Sequence, residues 1–164
     1  MRAMLHDLTR APARDWLERI PQHWRAPLLR VALAWSGLVA LFFGEWADMA
    51  AQWWDSSTYT HILLVPPIIG WMVWQRAPAL AALEAKAWWP GHLCLAGALF
   101  VWLLGNVSGL NLASQLGAVL MLQASVLALL GPRVAIGLLF PLAYMRFLVP
   151  FADELVPPLQ MITA

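Results

Sequence analysis

Residues 87–132 read AWWPGHLCLAGALFVWLLGNVSGLNLASQLGAVLMLQASVLALLGP, a run of 46 residues between Lys86 and Arg133 that contains no Asp, Glu, Lys or Arg. A soluble fold needs polar faces that recur at helical or strand period, and this run cannot supply them. The whole chain of 164 residues is 62% hydrophobic and 12% charged, against about 25% charged in ordinary globular domains. The sequence therefore predicts an integral membrane protein.

Apolar segments of about 20 residues, the length that crosses the hydrocarbon core of a bilayer, predict five complete spans. They lie near residues 26–47, 57–75, 89–105, 112–131 and 134–151. A polar turn at 106–111 separates the third span from the fourth, and residues 155–164 are interpreted as the start of a further element. The predicted fold class is an all-α, polytopic transmembrane helical bundle.

The distribution of charge predicts a cytoplasmic N-terminus. In that orientation nine of the ten basic residues lie on the cytoplasmic side, and the outer segments 45–61, 106–111 and 152–154 contain no Lys or Arg. This arrangement satisfies the positive-inside rule. Residues 1–27 are predicted to form a cytoplasmic, interfacial amphipathic segment, and residues 28–164 the transmembrane helical domain.

Eight of the eleven tryptophans are predicted to form two interfacial belts, because indole favours the headgroup level of a bilayer. The outer belt comprises Trp46, Trp53 and Trp54, and the inner belt comprises Trp24, Trp71, Trp74, Trp88 and Trp89. The belts account for the aromatic enrichment without a binding site.

The remaining composition excludes several classes of partner. A net charge of +1 offers nothing to attract nucleic acid. The single cysteine, Cys94, excludes an internal disulfide and is predicted to be a buried packing residue between two leucines. The four histidines are scattered without metal-ligand spacing, so no metal and no cofactor are expected. The partner that composition predicts is the lipid bilayer.

A polar stretch stands directly before the predicted second span. It comprises residues 55–61 (DSSTYTH) and is followed by prolines at 66–67, which bend a helix and free backbone carbonyls. A bent helix with Tyr59 and His61 at its outer mouth would line a cleft. The other interpretation is an ordinary helix start, capped by the aspartate or a serine of this stretch.

A second polar feature lies in and after the predicted fifth span. Arg146 is an ionised group inside an apolar segment, which makes it a functional candidate. The alternative is an arginine that snorkels outward to Asp153 and Glu154. Residues 149–160 contain three prolines and these two carboxylates, so they are interpreted as a broken helix or re-entrant turn beside a polar cavity.

Together these segments resemble the exosortases, polytopic inner-membrane cysteine transpeptidases of Gram-negative bacteria. The resemblance covers about residues 35–164 and is closest to the exosortase A type. The matching segments are 58–67 (TYTHILLVPP) with Trp71 and Trp74, the turn 104–106, Gln115 and Gln123, 130–133, and the proline-bearing segments 140–141, 149–151 and 155–164. Glycine is usual in the family where Ile62 and Ala152 stand.

The resemblance implies a thiol protease or transpeptidase, which is a hydrolase, in the bacterial inner membrane. Such an enzyme would act in protein sorting that is associated with exopolysaccharide. Its partners would be exported proteins with a PEP-CTERM tag, which comprises a Pro-Glu-Pro motif, an apolar helix and a basic tail. The family nucleophile lies in an Ala-Cys-Ser-Gly motif that is not found here. Cys94 lacks that context, so no catalytic residue is assigned. The chain is expected to stop before the active site and to be inactive alone, which leaves its status as an enzyme open.

The candidate residues for an outer, substrate-facing cleft are Tyr59, His61, Arg146, Asp153 and Glu154. The alternative function is a small membrane transporter or a scaffold subunit without enzymatic activity. A broken helix and an intramembrane arginine would also suit a transport site. No inverted repeat is visible in the sequence to support that alternative.

Overall fold

A computed structural model gives the fold; it describes residues 20–55 and 60–150, and the backbone alone at Asp55, Thr60 and His61. Every regular element in these ranges is helical, so the all-α prediction is confirmed. The α-helices are α1 (Gln22–Leu41), α2 (Phe43–Asp55), α3 (Val65–Ala81), α4 (Pro90–Ser108), α5 (Asn111–Leu130), α6 (Pro132–Gly137) and α7 (Leu139–Tyr144). Two 3₁₀ helices span Thr60–Leu64 and Met145–Leu148.

The uncharged run folds as a helical hairpin of α4 and α5. These helices have 19 and 20 residues and are long and apolar enough to cross a membrane. Pro90 opens α4, where its missing N–H removes no helical hydrogen bond. Gly109 ends α4 in the left-handed conformation, with φ of 71°, which glycine adopts without steric cost. The predicted turn therefore exists, although α4 extends into it as far as Ser108.

Small residues bring α4 and α5 into backbone contact. The buried residues of α4 are Gly91, Ala98 and Gly105, which recur every seven residues along one face. A Cβ atom built on Gly105 would lie 2.3 Å from the amide nitrogen of Ser114, and one built on Gly91 would lie 2.5 Å from Cα of Ala128. No side chain larger than hydrogen fits at either glycine, which is how small residues let membrane helices approach closely.

The central helix of the bundle is α5. It packs against α1, α2, α4, α6 and the second 3₁₀ helix. In an apolar stretch of 18 residues within α5, 61% of the residues are buried, whereas the corresponding value for α4 is 17%. The indole N–H of Trp35 on α1 donates to Oγ of Ser125 on α5 at 3.0 Å. Most of α4 is therefore left uncovered by the residues that the structure describes.

The first predicted span, 26–47, breaks at Phe42. Helix α1 ends at Leu41, and α2 leaves it at an angle of 82°. Glu45 and Asp48 follow the break, and carboxylates such as these disfavour continuation through hydrocarbon. Because Met49 on α2 is fully buried, α2 packs over the end of the bundle instead. Neither α1 nor α2 alone is both long and apolar enough to cross a membrane, whereas the bent pair taken as one segment is.

The predicted fifth span, 134–151, is three short pieces, α6, α7 and the second 3₁₀ helix. The amide of Gln123 on α5 donates to the carbonyl of Leu142 at 2.7 Å, and the guanidinium of Arg76 donates to the carbonyl of Gly137 at 3.0 Å. Broken helices are tolerated in membranes where protein groups satisfy the freed backbone, as these two side chains do.

The predicted second span, 57–75, is displaced along the chain. Its described part begins as the first 3₁₀ helix and continues as α3, which ends at Ala81 and has 17 residues. By length and composition, the described helices contain two candidate spans, or three with the bent α1–α2 pair. These confirm a helical membrane protein, whereas five spans and a cytoplasmic N-terminus stay predictions.

One end of the hairpin is named the Lys86 end, where α4 begins and α5 finishes. The backbone N–H of Lys86 donates to the carbonyl of Leu130 at 3.2 Å. Helix α1 also begins here, because the indole of Trp24 donates to the carbonyl of Leu83 at 3.1 Å. Arg133 lines a pocket beside Lys86. The opposite end, at the α4–α5 turn, is named the Glu45 end for the carboxylate described below.

Two tryptophans assigned to the belts tie segments of the bundle together. Trp24 is 6% exposed and is held by the bond to Leu83, and the indole of Trp53 donates to the carbonyl of Leu148 at 2.9 Å. The belt interpretation fits the exposed members better. These are Trp54, Trp71, Trp74, Trp88 and Trp89.

Replacing Gly105 with alanine is expected to destabilise the hairpin by about 1–3 kcal/mol, because the added Cβ overpacks a backbone contact. Gly97→Ala is the matched control on the same helix, since a Cβ there meets nothing within 4 Å. Helix propensity alone would favour both alanines by about 0.5–1 kcal/mol. Thermal unfolding in detergent, followed by circular dichroism, compares the two variants. Equal melting temperatures would contradict the close approach of α4 to α5.

Candidate functional site

The described residues contain one complete side chain of the predicted outer cleft, that of Arg146. His61 lies in the first 3₁₀ helix, and the structure describes the backbone of this residue but not its side chain. Tyr59, Asp153 and Glu154 lie outside the described residues. The cleft formed by these five residues therefore stays a prediction.

The two chain segments that carry the predicted cleft residues do converge. Ile62 and Val65, next to His61 and the start of α3, belong to one buried apolar cluster. Met145 and Leu148, which flank Arg146, belong to the same cluster. The backbone at residue 61 and the second 3₁₀ helix are thus brought to the same region of the bundle.

Arg146 lies about halfway along the length of α5. Its neighbour Met145 shares a buried cluster with Val119 and Leu122, which lie about 12–17 Å from the start of α5 at 1.5 Å per residue. The Arg146 side chain is exposed. No hydrogen bond or ion pair joins it to the residues that the structure describes. On insertion scales an arginine at the centre of a bilayer costs about 2.5–3.5 kcal/mol.

A carboxylate clamp holds three helices at the Glu45 end. Glu45 on α2 is half-buried. It accepts a hydrogen bond from the indole N–H of Trp102 on α4 at 3.1 Å and one from the hydroxyl of Ser114 on α5 at 2.9 Å. Phe42, at the bend before α2, packs edge-on against Trp102 with ring centroids 4.8 Å apart. The clamp therefore fixes the bend against the hairpin.

Sequence reasoning missed this clamp. Glu45 falls at the outer end of the predicted first span, 26–47, without an assigned partner, and Trp102 and Ser114 drew no prediction. Its partners lie 57 and 69 residues away along the chain, so no local spacing could reveal them. The sequence does show two polar groups that can pair, a glutamate at the edge of one apolar segment and a serine within the uncharged run.

A groove of about 430 Å³ runs beside the hairpin. Its floor is α5, one wall is α4, and the other wall is formed by α6, α7 and the second 3₁₀ helix. Cys94, Gln123 and Arg146 contribute its polar side-chain atoms, and the other lining residues are apolar or glycine. Cys94 is exposed in this groove, contrary to the expectation of a buried packing residue, because α4 packs through its glycine face.

The described ranges hold no group of three or more His, Cys, Asp or Glu residues placed to bind a metal ion. The polar groups in the groove are one thiol, one carboxamide and one guanidinium. The carboxamide is engaged by the carbonyl of Leu142. This arrangement suits the binding of an apolar segment that carries a hydrogen-bond acceptor.

The family model for transmembrane exosortases (Exosortase_EpsH) matches residues 53–164, which are 112 of the 164 residues of the chain. The chain belongs to the exosortase family. A search of curated proteins and a search of solved structures each found no match. The exosortase match takes in α3, the α4–α5 hairpin, the groove and Arg146. Glu45 and α1 lie before the matched residues.

Glu45→Ala is expected to lower the stability of this exosortase-family chain by about 1–3 kcal/mol, because it leaves the Trp102 indole without its acceptor. Glu45→Gln should retain most of the stability. Its carbonyl can accept from Trp102, and its amide can donate to Ser114, whose hydroxyl then donates to the Asn111 carbonyl 2.9 Å away. Chemical unfolding in detergent measures both variants.

Asp48→Ala is the matched control, since Asp48 is an exposed carboxylate on the same helix. An equal loss of stability for Glu45→Ala and Asp48→Ala would show that the clamp contributes nothing beyond the loss of a charge.

Proposed function

We propose that this chain provides the client-recognition part of an exosortase in the bacterial inner membrane. Its clients are exported proteins with a C-terminal PEP-CTERM tag, met at the outer face of the membrane. The observation that carries the proposal is the family match over residues 53–164, which coincides with the apolar hairpin and the groove that contains Arg146.

The proposed topology has five spans and a cytoplasmic N-terminus. The placement of Lys and Arg supports it, because the positive-inside rule counts cations and Glu84, which lies beside Lys86 and Arg133, contributes little to it. Lys86 and Arg133 lie together at the Lys86 end, whereas the carboxylate of Glu45 lies at the other end of the hairpin. Cationic side chains favour the cytoplasmic side of a bilayer. In this topology the Glu45 end faces outward, where exported clients are exposed.

We assign residues 1–164 to recognition and scaffolding, with no catalytic residue among them. A thioester mechanism needs an activated thiolate and a donor for the oxyanion. The Ala-Cys-Ser-Gly motif of the family does not occur in these residues, and Cys94 is flanked by Leu93 and Leu95. The proposed cleft residues are Tyr59, His61, Arg146, Asp153 and Glu154.

A peptide that carries the complete tag, with a photoreactive residue beside its Pro-Glu-Pro motif, is expected to cross-link to this chain in membrane vesicles. A peptide with the same composition and a scrambled tag is the control and should give several-fold less adduct. Residues 1–164 alone should leave the tag uncut. Gel shift measures the yield of the cross-linked adduct, and mass spectrometry of the adduct shows whether the tag is cut.

Equal capture of the tagged and scrambled peptides would contradict the recognition of the tag. It would favour the alternative function, a membrane transporter or a scaffold subunit.

A further inference from the structure

We infer that the groove beside the hairpin is the docking site for the single apolar transmembrane helix of a client, with Arg146 facing an anionic group near the outer end of that helix. The inference rests on the proposed function and deepens it, because it assigns one surface of the chain to one part of the client.

The shape of the groove suits a helix that lies alongside α5. The floor extends along α5 from Leu120 to Leu127, and the α4 wall extends from Cys94 to Val101, each about 10 Å at 1.5 Å per residue. These walls are helices with a groove between them, so a third helix can lie in the gap and complete the packing around α5.

The residues that line the groove are small enough for close approach. Gly97, Ala98, Ala124, Ala135 and Ala143 lie along the floor and both walls. A Cβ built on Gly97 would meet nothing within 4 Å, so there is open space above the α4 wall. Small residues on facing helices allow the backbones to approach and make van der Waals contact, which drives helix association in lipid.

Arg146 supplies the charge that selects the occupant. The Arg146 side chain is exposed and lines the apolar groove, and it has no bonded partner among the described residues. An isolated cation there is costly, and a carboxylate or another strong acceptor on the occupant offsets that cost through charge-assisted hydrogen bonds. A helix with an acidic residue toward its outer end matches a groove that carries Arg146, because the long arginine side chain can extend from its backbone toward the outer surface.

Two other occupants fit the observations less well. A phospholipid would fill an apolar groove with an acyl chain, but an acyl chain makes no use of the small residues that let the backbone of a helix approach closely. A second copy of the chain related by two-fold symmetry would set the same patch against itself. That arrangement would oppose two grooves and two Arg146 guanidinium groups.

The single native cysteine tests the inference directly. Cys94 lines the groove, so the full chain can be co-expressed with a tagged client that carries one cysteine, moved stepwise along its apolar helix. Oxidation with copper phenanthroline forms a disulfide only where the two Cα atoms come within about 7 Å. We expect mixed disulfides at client positions that recur every three or four residues, at several-fold higher yield than at the positions between them.

The matched control moves the cysteine to the far side of α4. In the double variant Cys94→Ala, Leu99→Cys the thiol lies about 140° around the helix at 100° per residue, at an exposed position outside the groove. This variant should give little mixed disulfide and no periodic pattern. Arg146→Gln should lower the yield from Cys94 several-fold and Arg146→Lys less, while melting temperatures stay unchanged.

Each other outcome overturns a defined part of the account. Client disulfides from Leu99→Cys with none from Cys94 would place the client elsewhere and leave the proposed function standing. A disulfide-linked dimer of the chain through Cys94 would identify a second copy as the occupant. Absence of client disulfides from both positions, together with failed capture by the photoreactive tag, would overturn the proposed function itself. Yields independent of Arg146 would remove its role in selecting the occupant.

Discussion

The close approach of α4 to α5 is the contact on which the other features depend. At Gly91 and Gly105 the missing Cβ lets one backbone lie against the other, and van der Waals packing of this kind replaces the hydrophobic driving force that is absent between helices in lipid. Helix α5 then becomes the surface on which α1, α2 and the broken helix assemble. On α5, the Gln123 amide donates to the carbonyl of Leu142 and the Ser125 hydroxyl accepts from the indole of Trp35, which ties α7 and α1 to this helix.

Both polar sites follow from this arrangement. The Glu45 clamp needs Trp102 and Ser114 side by side on different helices, and Gly105 brings those helices together beside Ser114. The groove needs the opposite, a face of α4 on which none of the described residues packs. Because α4 uses its glycine face for α5, the side that carries Cys94 and Gly97 remains open toward α6 and α7. The packing of α4 on α5 thus forms the Glu45 clamp on one face of α4 and leaves the groove open beside another face.

Much of the framework could be read from the sequence. The uncharged run and the glycine at its polar turn specify two helices and the position of the link between them. The break at Phe42 was missed because apolar residues continue on both sides of it. Its cause is the pair of carboxylates, Glu45 and Asp48, that α2 carries among those apolar residues. The three pieces of the predicted fifth span were also missed, because the groups that satisfy its backbone, Arg76 and Gln123, come from other helices.

The orientation of the hairpin tests the proposed function most directly, since the proposed clients are exported proteins, which are exposed at the outer face of the membrane. In a Cys94→Ala background, Leu110→Cys places a thiol at the exposed α4–α5 turn, and Ala87→Cys places one at the Lys86 end. A membrane-impermeant maleimide is added to intact spheroplasts. The account predicts labelling of Leu110→Cys from outside and of Ala87→Cys only after the membrane is opened. The reverse pattern would put the Glu45 end in the cytoplasm and contradict recognition of clients at the outer face.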